Sequence, residues 1–301
     1  MPLNKKEEDL QVRLGAFHAT HPYHDLEVGR AKWHYMAGGH GERTLLLLPG
    51  GAMVPDQYFE LISALEAEYR VIALAYPPIS TMAELEDGVV AIMDAEGVAR
   101  AMLFGSGPGG YLAQCFIRHN PDCVDRLILA HTGIRHHVAA GPVRALATVM
   151  SLLPEPVIRW GMWQLWRHEL SAPPDTRVFW LGLMHDIMAR QLSKAHLVAL
   201  TRLFVDYNTH YHFEAADLAA WPGEILILES DHDEAFDADA RAALRATYPR
   251  ARVYTFHEAG LGALFTHTEE YVGAVRDFLA DARTVPRLSL RCESLLSRHA
   301  P

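Results

Sequence analysis

The chain has 301 residues, half of them apolar and 21% charged, with a formal net charge of −10 and a pI near 6.0. Such a length and composition allow one elaborated globular domain with a large core. The acidic balance offers no attraction to phosphate backbones or anionic lipid, and no apolar run reaches the roughly 18 residues of a membrane span, which argues against nucleic-acid and membrane partners.

The opening "MPLNKKEEDLQ" lacks the apolar segment of a signal peptide, so a cytoplasmic protein is expected. Cys115, Cys123 and Cys292 are odd in number and have no metal-like spacing, which predicts three reduced, structural thiols. From residue 44 onward strand and helix patterns alternate, the mark of a mostly parallel sheet covered by helices on both faces. "TLLLLPG" (44–50) reads as a doubly covered strand, followed by a helical stripe at Phe59, Leu61, Ile62 and Leu65. "RVIALAYPP" (70–78) is the next strand, with an amphipathic helix over about 82–96. Then come "RAMLFG", a Gly-rich turn, a helix to about Arg118 and the strand "DRLILAHTG" (125–133).

The rhythm then breaks. Residues 135–221 read as four helices rich in Trp, Leu and Met with no strand, a helical cap inserted between two strands. Alternation resumes with "GEILILES" (223–230), a helix, "ARVYTF" and the final helix "TEEYVGAVRDFLADA". The expected organisation is a core of residues 1–134 and 222–284, a cap of 135–221 and a C-terminal tail of 285–301.

The order of elements, together with "LFGSGPGGYLAQ" (103–114) between a strand and a helix, resembles the α/β-hydrolase superfamily over roughly residues 25–284. The stretch "RVIALAYPPISTMAELEDGVVAIMDAEGVARAMLFGSGPGGYLAQ" is similar to maspardin and its bacterial relatives. The resemblance implies an eight-stranded, mostly parallel sheet, a variable cap, a pocket between them and a Ser, Asp, His triad in that chain order. Aligning Gly105 and Gly109 with the glycines of the G-x-S-x-G turn puts Gly107 at the nucleophile, so the turn survives without its hydroxyl. Ser106 as nucleophile would place Phe104 and Pro108 where the crossing needs small residues. Pro108, at the position whose N–H serves the oxyanion hole, has none, while Gly51 or Ala52 can still donate. Asp233 matches the acid, with Asp231 as the nearby alternative. Leu261 stands where the histidine belongs; His257 falls four residues early and His267 six late. Nucleophile, one oxyanion donor and base are thus all missing, which makes ordinary ester or amide hydrolysis improbable.

Other residues leave two readings open. His18, His21 and His24 lie three apart, as in a metal site, but Pro22 prevents one helix from aligning them and a polar loop explains them as well. Trp160, Trp163 and Trp166 form a stripe that is either cap core, a pocket roof with Trp163 in it, or a partner surface. His131, at the carboxyl end of its strand, either lines the pocket or is a satisfied core histidine. Tyr111 beside the turn, and Asp206, Tyr207, His210 and Tyr211 at the cap exit, are further pocket candidates. The expectation is a catalytically degenerate protein without cofactor or metal that binds a small apolar molecule or a protein partner. The alternatives are a non-hydrolytic cyclase, isomerase or lyase in the same pocket, using Asp233, His131, His257 or a cap tyrosine, and a cryptic hydrolase built on Ser106.

Overall fold

The computed structural model describes residues 3–134 and 140–280; Cys292, the first residues of the expected cap and the expected tail from 285 lie outside them. In chain order the elements are helix α1 (Lys5–Thr20), strands β1 (Tyr23–Val28), β2 (Ala31–Gly38) and β3 (Thr44–Leu48), helix α2 (Phe59–Leu65), β4 (Arg70–Ala75) and α3 (Met82–Ala95). Next come β5 (Ala101–Ser106), α4 (Pro108–His119), β6 (Val124–Ala130) and four helices, α5 (Ala140–Leu152), α6 (Glu155–Glu169), α7 (Arg177–Asp186) and α8 (Lys194–His210). The chain closes with β7 (Glu224–Ser230), α9 (Ala238–Thr247), β8 (Arg252–Phe256), α10 (Ala263–Thr266) and α11 (Thr268–Ala280).

The eight strands form one sheet in the order β1-β2-β4-β3-β5-β6-β7-β8. Strand β2 pairs antiparallel with both β1 and β4, and every other pair is parallel. All five residues of β3 are buried, as a strand covered on both faces requires. Thr81 caps α3 by accepting from the Glu84 amide, and Asp237 caps α9 by accepting from Ala240. Among the described residues the four helices α5 to α8 lie between β6 and β7.

The N-terminus corrects the expectation of a polar loop. Asn4 and Glu7 form a capping box that starts α1, and Leu10, Leu14 and Phe17 bury one face of it. Buried Glu7 also accepts from the Val178 and Phe179 amides, so α1 caps α7 of the insertion as well as itself. The three histidines go separate ways: His18 to Asp56, His21 to Glu66, and His24 onto the Tyr35 ring. Cys115 is free and buried, whereas Cys123 is disulfide-bonded, so the expectation of reduced thiols fails at Cys123.

Candidate functional site

Strand β3 has β4 on one side and β5 on the other, so the connections diverge at the carboxyl ends of β3 and β5, where open parallel sheets take their ligands. A cavity of about 260 Å³ opens there. Its floor is Gly50, Gly51 and Ala52 after β3 and Ser106, Gly107 and Pro108 after β5. Its wall includes His131 after β6 and Leu261 before α10, and the insertion adds Trp166, Leu170 and Met184.

The turn from β5 into α4 is set by space. A Cβ on Gly105 would lie 2.5 Å from the Gly109 carbonyl oxygen, and one on Gly109 would lie 2.1 Å from that of Leu48. Strand and helix therefore cross too closely for side chains at either place. Between them Gly107 holds φ 48° and ψ −121°, a strained region that glycine enters freely and other residues enter at about 1–3 kcal/mol. A Cβ there would meet nothing nearer than Gly50 Cα at 3.8 Å and the His131 carbonyl at 3.9 Å. The turn thus keeps room for a side chain and carries none.

Around this point hydrogen bonds fix the backbone. The Gly107 amide donates to the Ala130 and His131 carbonyls, and its own carbonyl accepts from the Thr132 hydroxyl at 2.8 Å. Pro108 opens α4 without an N–H. The Gly50 amide donates to the Tyr58 hydroxyl at 3.1 Å, while those of Gly51 and Ala52 have no acceptor among the described residues. Two donors therefore remain open at the cavity floor. Burial pushes the Tyr58 and Tyr271 hydroxyls up, so both cavity tyrosines stay neutral. Ser106 lines the cavity beside Tyr58, and among the described residues no histidine bonds to it.

The acid candidate lies beside a histidine of another strand. Asp233 is buried just past β7, and its Oδ1 accepts from the Ala235 and Phe236 amides at 2.9 and 3.0 Å. Its Oδ2 is 3.3 Å from Nδ1 of His131, which is itself buried. The His131 backbone adopts φ 42°, uncommon for a residue with a Cβ, and its ring lies nearly parallel to those of Phe256 and Tyr271. Its Nε2 is buried without a partner. Of the two readings offered for His131 neither fits alone, because it is buried, lines the cavity and is satisfied on one nitrogen only.

The remaining candidates fall elsewhere. His257 is largely exposed and pairs with Asp231, and His267 takes the Thr266 hydroxyl, so neither joins the cavity. Tyr111 and Tyr207 stack on each other at 4.3 Å in the core, away from the cavity. Asp206 accepts from the Met82 amide at the start of α3, and His210 pairs with Asp206. The three tryptophans fan out, because three helical steps fall 60° short of a full turn. Trp160 is exposed, Trp163 packs edge-on against His185, and Trp166 reaches the cavity in the place expected for Trp163. Tyr58 and Tyr271 carry no sequence signal, whereas Trp166 belongs to the stripe that the spacing singles out. Among the described residues no cluster could hold a metal ion.

Comparison with known structures places this architecture. A hydrolase from Pseudomonas aeruginosa superposes with a TM-score of 0.73 at 20% identity, over 86% of this chain and 98% of that one. An enol-lactonase from Burkholderia xenovorans follows at 0.70 and 17%, over 86% and 99%. The chain has the α/β-hydrolase fold. No family model matches it. In sequence this α/β-hydrolase-fold chain is 23% identical over 203 residues to 2-hydroxymuconate semialdehyde hydrolase of Pseudomonas putida, 64% of this chain and 67% of that protein. Maspardin of Rattus norvegicus is 38% identical over 101 residues, 32% of this chain and 39% of its own length. The match with maspardin therefore spans well under half of either protein.

Proposed function

We propose that the chain binds a small, mainly apolar molecule in the cavity between sheet and insertion, which acts as its cap, and that it processes no acyl-enzyme. The observation that carries this is the pairing of an intact turn with an unfilled nucleophile position: Gly107 holds the strained conformation, its Cβ site is open, and the space above is a cavity. Leu261 and Pro108 stand where the superfamily's base and second oxyanion donor would act, and both line that cavity. The wall is chiefly apolar, as small-molecule sites are. Acyl-enzyme hydrolysis needs a nucleophile and a base, and Gly107 and Leu261 supply neither.

The test uses naphthalene as an apolar probe and Leu261→Trp to fill the cavity. Saturable binding by the unaltered protein, lost in the variant while its unfolding midpoint holds, is the expected result. Absence of saturable binding, or equal binding by the variant, contradicts the reading.

A protein partner is a second reading, favoured by the exposed Leu146, Val149, Leu152 and Trp160 of the insertion. Trp160→Ser would then release a co-purifying protein, and an unchanged monomer in both forms would count against it. No helix among the described residues is long and apolar enough to cross a membrane. The cytoplasmic placement remains part of the proposal, and the Cys123 disulfide weighs against it.

A further inference from the structure

Among the buried polar side-chain atoms without a partner, Nε2 of His131 belongs to a residue of the cavity wall, whereas Trp33, Tyr76 and Tyr207 lie in the core. A buried imidazole nitrogen left unpaired is costly, and native structures keep few such groups without a use for them. The positive φ of His131 adds a second cost at the same residue.

The other end of the ring fixes what Nε2 offers. Asp233 takes two backbone amides on Oδ1 and faces Nδ1 of His131 with Oδ2. A carboxylate so used has acceptors only, so Nδ1 carries the ring proton and points it at Asp233. Nε2 then presents a lone pair. Tyr271 and Phe256, stacked on each other at 5.1 Å, each lie 6.1 Å from the His131 ring and nearly parallel to it. The acid candidate lies just past β7 and orients a histidine just after β6 instead of one after β8.

Resting on the pocket reading above, we propose that the His131–Asp233 pair is the polar anchor of the cavity and that the ligand is a mainly apolar molecule carrying a hydroxyl, whose proton is donated to Nε2. The class is that of phenols, enols and apolar alcohols. The rest of such a molecule lies against Trp166, Leu261 and Met184, and a second oxygen would find the open amides of Gly51 and Ala52. Ethers of the same shape place an oxygen against a lone pair and are rejected, because a buried acceptor discriminates by the donor it lacks.

Naphthalene, 2-methoxynaphthalene and 2-naphthol share one apolar body and differ in whether an oxygen is present and carries a proton. The expected result is that the full-length protein binds 2-naphthol about tenfold or more tighter than 2-methoxynaphthalene, the effect of one buried hydrogen bond. His131→Phe should lose that preference while its naphthalene affinity changes by less than about threefold, since the apolar wall is kept. Asp233→Asn supplies a second test that keeps shape. Its amide can donate to Nδ1, which moves the ring proton to Nε2 and turns an acceptor into a donor, so the preference for the hydroxyl should also disappear. If naphthalene binds but the unaltered protein does not prefer the hydroxyl, or if the preference survives in either variant, the anchor is overturned and the pocket stands. If naphthalene itself does not bind, the pocket reading fails and takes the anchor with it.

Discussion

Among the described residues two buried aspartates, Asp56 and Asp233, each face a histidine, and the two carboxylates are completed differently. Asp56 accepts from His18 at 2.8 Å, from the Tyr23 hydroxyl at 2.6 Å and from Gln191 at 3.1 Å, so α1, β1 and the turn before α8 meet on one carboxylate. Asp233 is equally well supplied, but the histidine it faces has one nitrogen over, and that histidine lines the cavity. The first pair spends its hydrogen-bonding capacity on the fold and the second keeps part of it. Residue identity does not separate a clasp from a site; unfilled hydrogen-bonding capacity at a cavity does.

The largest loss is expected at the Asp56 clasp. Asp56→Ala strands three donors at once and is expected to cost about 3 kcal/mol in urea unfolding, with the cavity unaffected; a loss under about 1 kcal/mol would mean the donors find water instead. Asp233→Ala should cost somewhat less, about 2 kcal/mol, because it frees two backbone amides and one imidazole proton.

Acid sharpens the contrast. Burial alone would raise the Asp56 carboxyl, but hydrogen bonds from His18, Tyr23 and Gln191 outweigh it and hold the group below its ordinary 3.8. A carboxyl whose folded value is depressed contributes stability that is fully present above the unfolded value and is lost as pH falls through the folded one. The urea midpoint should therefore fall more steeply below pH 3.8 in the unaltered protein than in Asp56→Asn. Parallel curves would remove Asp56 from the account of acid stability.

His131→Phe is expected to change stability by no more than about 1 kcal/mol, since it gives up the contact with Asp233 but also removes the unpaired nitrogen. A much larger loss would class His131 with the clasp. His257 and Asp231 form a pair at the surface, and His257→Ala should leave the unfolding midpoint unchanged.

The sheet was legible because its strands are unbroken apolar runs such as "TLLLL", and the four inserted helices because no strand pattern interrupts them. The turn at Gly105, Gly107 and Gly109 was legible because steric crowding leaves a spacing behind in the chain. Helix α1 is hard to read from the chain although Leu10, Leu14 and Phe17 follow helical spacing and Asn4 and Glu7 form a cap signal, because charged residues dominate the segment. The partner of His131 could not be read at all. It lies 102 residues away on another strand end, and no local period reports a contact that only the sheet creates. Trp166 was misassigned to Trp163 for a smaller reason, since a three-residue spacing fixes a helix stripe but not which member faces the cavity.

The proposed reading requires that the tight strand-to-helix turn at Gly107 carry no nucleophilic chemistry. Intact-mass analysis of the folded protein after treatment with a reactive fluorophosphonate, with any adduct mapped by digestion, tests it most directly. The account expects no adduct, because Gly107 offers no hydroxyl and no histidine bonds to Ser106 among the described residues. A stoichiometric adduct on Ser106 would contradict it and restore a working serine hydrolase.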